Sequence, residues 1–541
     1  MKTNVLYYGD NLKILRDHIP DESVDLIYLD PPFNSNRNYN VLFKETTGAG
    51  SEAQIEAFED TWHWGPAALV TYDEVVTGPH QEVARMLKAM VEGLGHNQVT
   101  AYLTMIAIRL IELHRVLKPT GSIYLHCDPT TGAYLKLLLD AVFEPLRFRN
   151  EIIWQRTSAH ADTKQGSQHF GRVHDTILFY TNSGTIAWNP QHVAHDENYI
   201  RTHYPYTEEA TGRRYGLWDI TGPGGAAKGN PYYEIFGTKK YWRYSQANME
   251  EKIQQGKVIQ PRPGAVPREI RYLDESLGAP VGTLWTDISP INSQAKERLG
   301  YPTQKPLALL ERIINASSNP GDIILDPFCG CGTAVHAAQK LDRRWVGIDI
   351  THLAIGLIRR RMRDAFPNIK IEVIGEPVDL TGAHDLAARD KYQFQWWALD
   401  QISAQPVSGK KKGADAGIDG VLPIVIGGTA EKPEYGRVII SVKGGEHVGV
   451  DMVRDLRGVI ERDEEPIGVL LTLEPPTKPM VTEAAKAGFY KSELWQKDYP
   501  RIQILTIEEI LDGTRPEIPP QQSPFAQAPR ERKKAKTKRL L

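Results

Sequence analysis

Short apolar runs alternate with segments of helical period at both ends of the chain, and the alternation fails between them. Val5-Leu6-Tyr7-Tyr8 and Val24-Asp25-Leu26-Ile27-Tyr28-Leu29 read as strands, separated by a Gly9-Asp10 turn and a helix from Asn11. Residues 46–100 are polar and Gly-rich around Trp62-His63-Trp64-Gly65, and read as a long flap or an accessory helical hairpin. Tyr102, Ile106, Leu110, Leu113 and Leu117 fall at helical spacing, so a helix is predicted over about 101–116. The strand Ser122–His126, a helix near 130–143 and strands near 150–155 and 174–181 continue the pattern, which predicts a parallel α/β sheet.

From 186 to 295 Gly and Pro rise, and aromatics interleave with cations in Lys239-Lys240-Tyr241-Trp242-Arg243-Tyr244. This is either a large irregular insertion or a module that reads nucleic acid with cations and stacking rings. Residues 301–375 return to α/β texture: a helix near 305–317, the buried-type strand Asp322–Leu325, a turn, a helix from Ala334, and the strand Trp345–Asp349. A linker near 376–388 leads to a third α/β segment that ends at 512. The domain boundaries expected are thus 1–185, 186–295, 296–375 and 388–512, with a disordered basic tail over 513–541. Its last stretch, Arg530 to Leu541, holds seven cations and one acid.

Length and composition narrow the class. At 541 residues two or three domains are expected, and 41% hydrophobic with 24% charged residues places the chain among soluble globular proteins. No apolar run reaches the length of a membrane span, and the N-terminus leads directly into a strand without a signal peptide. Cys127, Cys329 and Cys331 make neither a disulfide framework nor a zinc spacing, so a reduced, cytoplasmic protein is expected. The net charge of −3 is neutral on nucleic acid, because one basic face fits inside a neutral total.

Two loops carry the candidate chemistry. Asp30-Pro31-Pro32-Phe33 ends a strand that two prolines cannot continue. The turn presents a carboxylate, unpaired carbonyls and an aromatic face, which are acceptors for an amino group beside a stacking surface. A strand stopped by prolines over a core Phe is the plain alternative. The second loop is Asp326-Pro327-Phe328-Cys329-Gly330-Cys331-Gly332-Thr333, with Asp349 closing the next strand. Strand, Gly-containing turn, helix and a second carboxylate describe a nucleoside-cofactor site in which Asp349 takes the ribose hydroxyls. The acid at Asp326 disfavours pyrophosphate and suits a cationic cofactor, for which S-adenosylmethionine qualifies.

The pairing of these loops, joined by Gln304-Lys305-Pro306, resembles the β class of amino-group DNA methyltransferases over roughly residues 4–375. The resemblance implies a Rossmann-like methyltransferase with a target recognition domain inserted at 186–295. It implies that Asp30, Pro31, Pro32 and Phe33 hold a base flipped from double-stranded DNA. Asp326, Pro327, Phe328, Gly330, Gly332, Thr333 and Asp349 would bind S-adenosylmethionine, with Lys305 and Pro306 closing the pocket and Asp10 against the adenosine. DPPF accompanies adenine N6 more often in this family, so adenine is expected and cytosine N4 is the alternative. No Cys nucleophile is needed, and the cysteines read as packing residues.

The third segment carries Asp419 before one strand and Lys443 closing the next, which is a geometry for a divalent ion and an activated water. It resembles Mrr-type restriction-endonuclease domains of the PD-(D/E)xK superfamily. On that resemblance Asp419 and Lys443 would be catalytic, with Mg²⁺ on Asp419. Ser441 and Gln395 stand where relatives place acids or their equivalents, and a single carboxylate binds a hard cation weakly. A non-cleaving DNA-binding relic, with Asp419 capping a turn, is the alternative. Three functions are therefore carried forward: an adenine-N6 DNA methyltransferase, a combined restriction-modification enzyme, and a non-catalytic DNA-binding protein. Target sequence and oligomeric state, a homodimer included, stay open.

Overall fold

A computed structural model describes residues 1–32, 38–44, 50–59, 64–157, 170–292, 294–301, 303–407, 417–429, 433–521 and 528–531. Phe33, Asn34, Trp62, His63, Gly413–Ala416 and the tail beyond Glu531 lie outside the described residues.

The elements that frame the site are β1 (Val5–Tyr8), α1 (Asn11–His18), β2 (Val24–Leu29), α2 (Gln98–Val116), β3 (Leu117–Cys127), α3 (Gly132–Phe143), β4 (Phe148–Gln155) and β5 (His174–Thr181). They continue with β6 (Leu284–Trp285), α4 (Leu307–Ser317), β7 (Ile323–Asp326), α5 (Thr333–Lys340), β8 (Arg344–Asp349), α6 (His352–Ala365) and β9 (Glu372–Ile374). Nine strands form one sheet in the order β6-β4-β5-β3-β2-β7-β8-β1-β9. The central strands are parallel and buried on both faces, which is why β2, β7 and β8 read as nearly continuous apolar runs. Their core joins α1, α2 and α3 through Leu15, Ile27, Leu103, Leu110, Ile123, Leu138 and Val346.

The expected all-parallel sheet needs correction. β5 inserts between β3 and β4 and pairs antiparallel with both, so the sheet is mixed. A returning strand and a crossover strand have the same apolar composition, and only the pairing separates them. Residues 46–100 contain the hairpin Asn38–Lys44/Gly50–Glu59 in part, then helices Pro66–Thr77 and Gln81–Leu94.

Pro190–Gly282 forms a compact unit of its own. It holds a four-stranded antiparallel sheet and the hairpin Tyr232–Ile235/Thr238–Tyr241, around a small core of Ile220, Ile235, Trp242, Met249 and Val258. Residues beyond it on either side belong to the larger unit: Asn189 donates its amide to Ala316, and β6 pairs with β4.

The segment after β9 packs within the larger unit. Its sheet has five strands, β10 (Gln405–Pro406), β11 (Gly420–Gly428), β12 (Pro433–Lys443), β13 (Ile467–Thr472) and β14 (Ile502–Thr506), in that order, with α7 (Val450–Arg462) between β12 and β13. The linker expected near 376–388 is largely helix, Leu380–Arg389, and the next helix, Lys391–Gln401, is tied to α6. Arg359 donates to Asp400 at 2.5 Å and Arg360 pairs with the same carboxylate. Gly356 leaves room for that contact, since a Cβ there would lie 2.6 Å from Asp400 Oδ1. Among the described residues no helix is long and apolar enough to cross a membrane.

Candidate functional site

Parallel strands end on one edge of a sheet, and four of them end here in acid. β1 runs into Asp10, β2 into Asp30, β7 closes on Asp326 and β8 on Asp349. These residues line a single cavity of about 250 Å³, with Phe328, Gly330 and Thr333 from the loop after β7 and Lys305 before α4. Pro327 lines it as well, and so do Pro31 and Pro32. Asp30 and the Gly-containing loop, 296 positions apart in sequence, therefore share one space.

The loop from Asp326 to Thr333 needs its glycines. Gly330 and Gly332 have φ of +52° and +75°, where an L side chain is strained. A Cβ on Gly332 would also lie 2.9 Å from Ile358, and one on Gly330 would press on the Tyr301 ring at 3.3 Å. Asp349 locks the turn: Oδ2 accepts from Gly330 N at 2.8 Å, and Oδ1 accepts from Thr351 N and Oγ1 at 2.9 and 3.0 Å. Burial raises its carboxyl to about 6 in spite of these donors. Asp326, 4% exposed, is pushed well above the usual carboxylate range by burial, with Asp30 and Asp349 adding repulsion. Phe328 N donates to it at 3.1 Å.

Lys305 Nζ donates to Asp30 Oδ2 at 2.5 Å, in a pair whose side chains are largely buried. The loop that delivers Lys305 is shaped by its neighbours: Gln304 accepts from Leu299 N and donates to Glu297 O, and Glu297 accepts from Leu307 N. Pro306 is buried as the residue that caps α4 and does not line the cavity. Asp10 caps α1 by accepting from Leu12 N at 2.7 Å, and lines the cavity.

Several cavity residues escape the sequence patterns. Arg109, a lone cation in an otherwise apolar face of α2, reaches Asp10 at 3.2 Å and Asn11 at 2.6 Å, while Asn11 donates to Pro327 O at 2.8 Å. This chain ties α1 and α2 to the loop after β7. A cation inside a helical apolar stripe was the available signal. Tyr28, Tyr301, Thr303 and Thr351 also line the cavity without a motif to mark them. The three cysteines are buried, and burial pushes each thiol up, as expected of packing residues rather than nucleophiles.

The C-terminal trio is also brought together. Asp419 Oδ2 accepts from Val442 N at 2.6 Å and from Ser441 Oγ at 3.2 Å, and Lys443 closes the same strand. Burial raises the Asp419 carboxyl, with the Val442 amide, Lys443 and Ser441 opposing. Among the described residues no group of three His, Cys, Asp or Glu side chains is arranged to hold a metal ion.

Known proteins resemble the chain over the same span as the cavity. The N6/N4 methyltransferase family model, described as DNA methylase, matches residues 24–359. The type II methyltransferase M.EcaI of Enterobacter cloacae is 28% identical over 362 residues, 66% of this chain and 69% of the relative. The type III restriction-modification enzyme StyLTI Mod subunit of Salmonella typhimurium is 26% identical over 63% of this chain and 50% of its own length. The DNA adenine methyltransferase YhdJ of Escherichia coli is 26% identical over 67% of this chain and 83% of its own length.

Proposed function

Because the chain belongs to the N6/N4 DNA methylase family, we propose that the acidic cavity is where the exocyclic amine of a base is methylated. The protein is a DNA methyltransferase, and the proposed product is N6-methyladenine at a specific site in double-stranded DNA. One observation carries the reading: the Asp30-Pro31 turn and the Gly330–Gly332 loop with its two carboxylates open into the same cavity. The adenine preference is supported by the Asp-Pro-Pro-Phe sequence and by a relative named as an adenine methyltransferase.

The cavity fits S-adenosylmethionine. Asp10, Asp30, Asp326 and Asp349 line it, and its two cations, Lys305 and Arg109, are each engaged by a carboxylate. Such a lining attracts a positively charged ligand and repels pyrophosphate. Asp349, Gly330, Phe328, Thr333 and Asp10 would hold the nucleoside and amino-acid parts, with Lys305 beside Asp30. When bound, the cofactor supplies a methyl group on a sulfonium.

The residues of the chain then have distinct tasks. An exocyclic amine is a weak nucleophile because its lone pair is delocalised into the ring. The Asp30 carboxylate and the Pro31 carbonyl accept its N–H bonds, draw the nitrogen towards tetrahedral geometry and stabilise its developing positive charge. Lys305 holds Oδ2 of Asp30, so the carboxylate meets the amine in one orientation. The base must leave the duplex to arrive there, and Phe33 is assigned the stacking it loses. Pro190–Gly282 is proposed as the target recognition domain, with its cation-flanked aromatic hairpin towards DNA.

A second reading adds DNA cleavage by the C-terminal sheet. It is supported by Asp419 and Lys443 lying beside each other across β11 and β12. Among the described residues no group of three His, Cys, Asp or Glu side chains is arranged to hold a metal there, so Mg²⁺ is proposed only as weakly bound.

The deciding experiment expresses the protein in a bacterium free of DNA methylation and sequences the DNA for modified bases. N6-methyladenine at one recurring sequence is expected; N4-methylcytosine alone would overturn the base assignment. Asp30→Ala should lower transfer by roughly a thousandfold or more while leaving cofactor affinity within a few-fold. Turnover like the wild type would remove Asp30 from its role.

A further inference from the structure

Behind the cavity, three adjacent strands carry a file of buried polar side chains. Tyr28 lies on β2, His126 on β3 and Asp175 on β5, at 2%, 0% and 2% exposure. Tyr28 Oη lies 2.9 Å from His126 Nδ1, and His126 Nε2 lies 3.2 Å from Asp175 Oδ2. The other oxygen of Asp175 faces Arg156 Nη1 at 3.2 Å. Stability does not demand such a file, since apolar side chains of like volume in its place are often as stable or more so.

The chain of contacts has a direction. Burial works to raise Asp175, but His126, Lys305 and Arg156 together outweigh it and hold the carboxyl below its ordinary value. Asp175 is therefore an acceptor, and Nε2 of His126 must carry the hydrogen between them. In the neutral ring Nδ1 is then bare, so the Tyr28 hydroxyl spends its only hydrogen on it. What Tyr28 retains for the cavity it lines is lone pairs. Asp30 follows directly on β2, and burial, with the field of the Asp30 carboxylate adding to it, raises the Tyr28 hydroxyl well above its usual range.

We propose that Tyr28, fixed as a hydrogen-bond acceptor by His126 and Asp175, positions the target amine together with Asp30 and Pro31, and that this all-acceptor wall rejects bases bearing a keto oxygen at that position. The proposal rests on the cavity being the amine site. Tyr28 is the group that meets the base; His126 and Asp175 are positioning residues that act through it. A keto oxygen placed there would face three acceptors, with the Lys305 ammonium engaged by Asp30, which leaves it poorly paired in a desolvated site.

Two nearly isosteric variants test the direction rather than the mere presence of the file. Tyr28→Phe removes the acceptor. Asp175→Asn reverses the chain: the carboxamide donates to Nε2, the ring hydrogen moves to Nδ1 and donates to Tyr28, and the hydroxyl turns its hydrogen towards the amine. Transfer of labelled methyl groups from S-adenosylmethionine to DNA, followed under saturating substrates, should fall at least roughly tenfold in each variant. Cofactor affinity should be unchanged in both. The double variant should perform as Tyr28→Phe does, because without the hydroxyl the reversed chain has nothing to turn. Wild-type kcat in Tyr28→Phe overturns the proposal, and so does an Asp175→Asn loss that persists in full on the Tyr28→Phe background. Should Asp175→Asn fail to fold, Tyr28→Phe decides alone, since it removes one hydroxyl from an intact core. A wild-type protein that transfers no methyl group would sink the amine-site reading itself, which is a different outcome from normal wild-type transfer with an indifferent Tyr28→Phe.

Discussion

Each acid of the cavity is set by its own surroundings. Asp30 is engaged by Lys305, Asp326 is buried beside two other carboxylates, and Asp349 is spent on closing a turn. Asp349 gives the sharpest pH signature. Its folded value of about 6 lies above the ordinary carboxylate value of 3.8, so between the two the folded protein binds a proton that the unfolded chain does not. Its contribution to stability therefore falls as pH rises through that window and recovers in acid. Ligand binding runs the other way, because ribose hydroxyls donate more strongly to the ionised carboxylate than to the protonated acid. Cofactor affinity, measured by calorimetry between pH 5 and 8, is expected to weaken as pH falls through about 6. Asp349→Asn should bind weakly at every pH and lose that slope. A wild-type affinity flat across the range would deny Asp349 its place against the ribose.

At the scale of elements, the loop after β7 is the most constrained segment of the site. Gly332 meets two independent demands, a left-handed backbone and close approach to Ile358 on α6. Gly332→Ala is expected to cost about 1–3 kcal/mol of stability and to weaken cofactor binding more than the stability loss alone explains. Thermal melting and a binding titration on the same preparation separate the two effects. A melting temperature like the wild type would show that the loop relaxes without Gly. The loop is also held from beneath: Arg361 on α6 donates to Cys331 O and Thr333 Oγ1 and to His336, which in turn meets Glu531 at 3.1 Å. Glu531 thus reaches the loop after β7 through two side chains, His336 and Arg361.

For the whole molecule, the question is whether the sheet after residue 400 does chemistry of its own. Asp419 spends an oxygen on the β12 backbone and on Ser441, which is how a carboxylate braces a strand rather than how it holds a hard cation. Nicking of unmethylated DNA in Mg²⁺ or Mn²⁺, lost on Asp419→Ala or Lys443→Ala, would establish cleavage. Its absence at every concentration of either ion would leave this sheet a structural or DNA-binding partner of the methyltransferase. The ties between Asp400 and Arg359 and Arg360 fit the second outcome, because they join the segment to α6, which packs on the loop after β7.

Apolar runs, two proline- or glycine-marked turns and the acids at strand ends were legible without coordinates, because each is a local demand: prolines end a ladder, glycines admit a left-handed turn, and a buried parallel strand must be apolar throughout. Those demands placed β2, β7 and β8, and they named Asp30, Gly330, Gly332 and Asp349. They could not show that β5 returns antiparallel, that Lys305 pairs with Asp30, or that Arg109 and Tyr28 line the cavity. Nor could they show that Asp326, so prominent in the motif, lines the cavity while only 4% exposed. Pairing partners, burial and the direction of a hydrogen-bond chain depend on groups tens to hundreds of residues apart, and only the closed sheet brings those groups within a few ångströms. The sequence alone marked the two turns as candidates; the tertiary structure decided that four acids, a lysine and a tyrosine share one space.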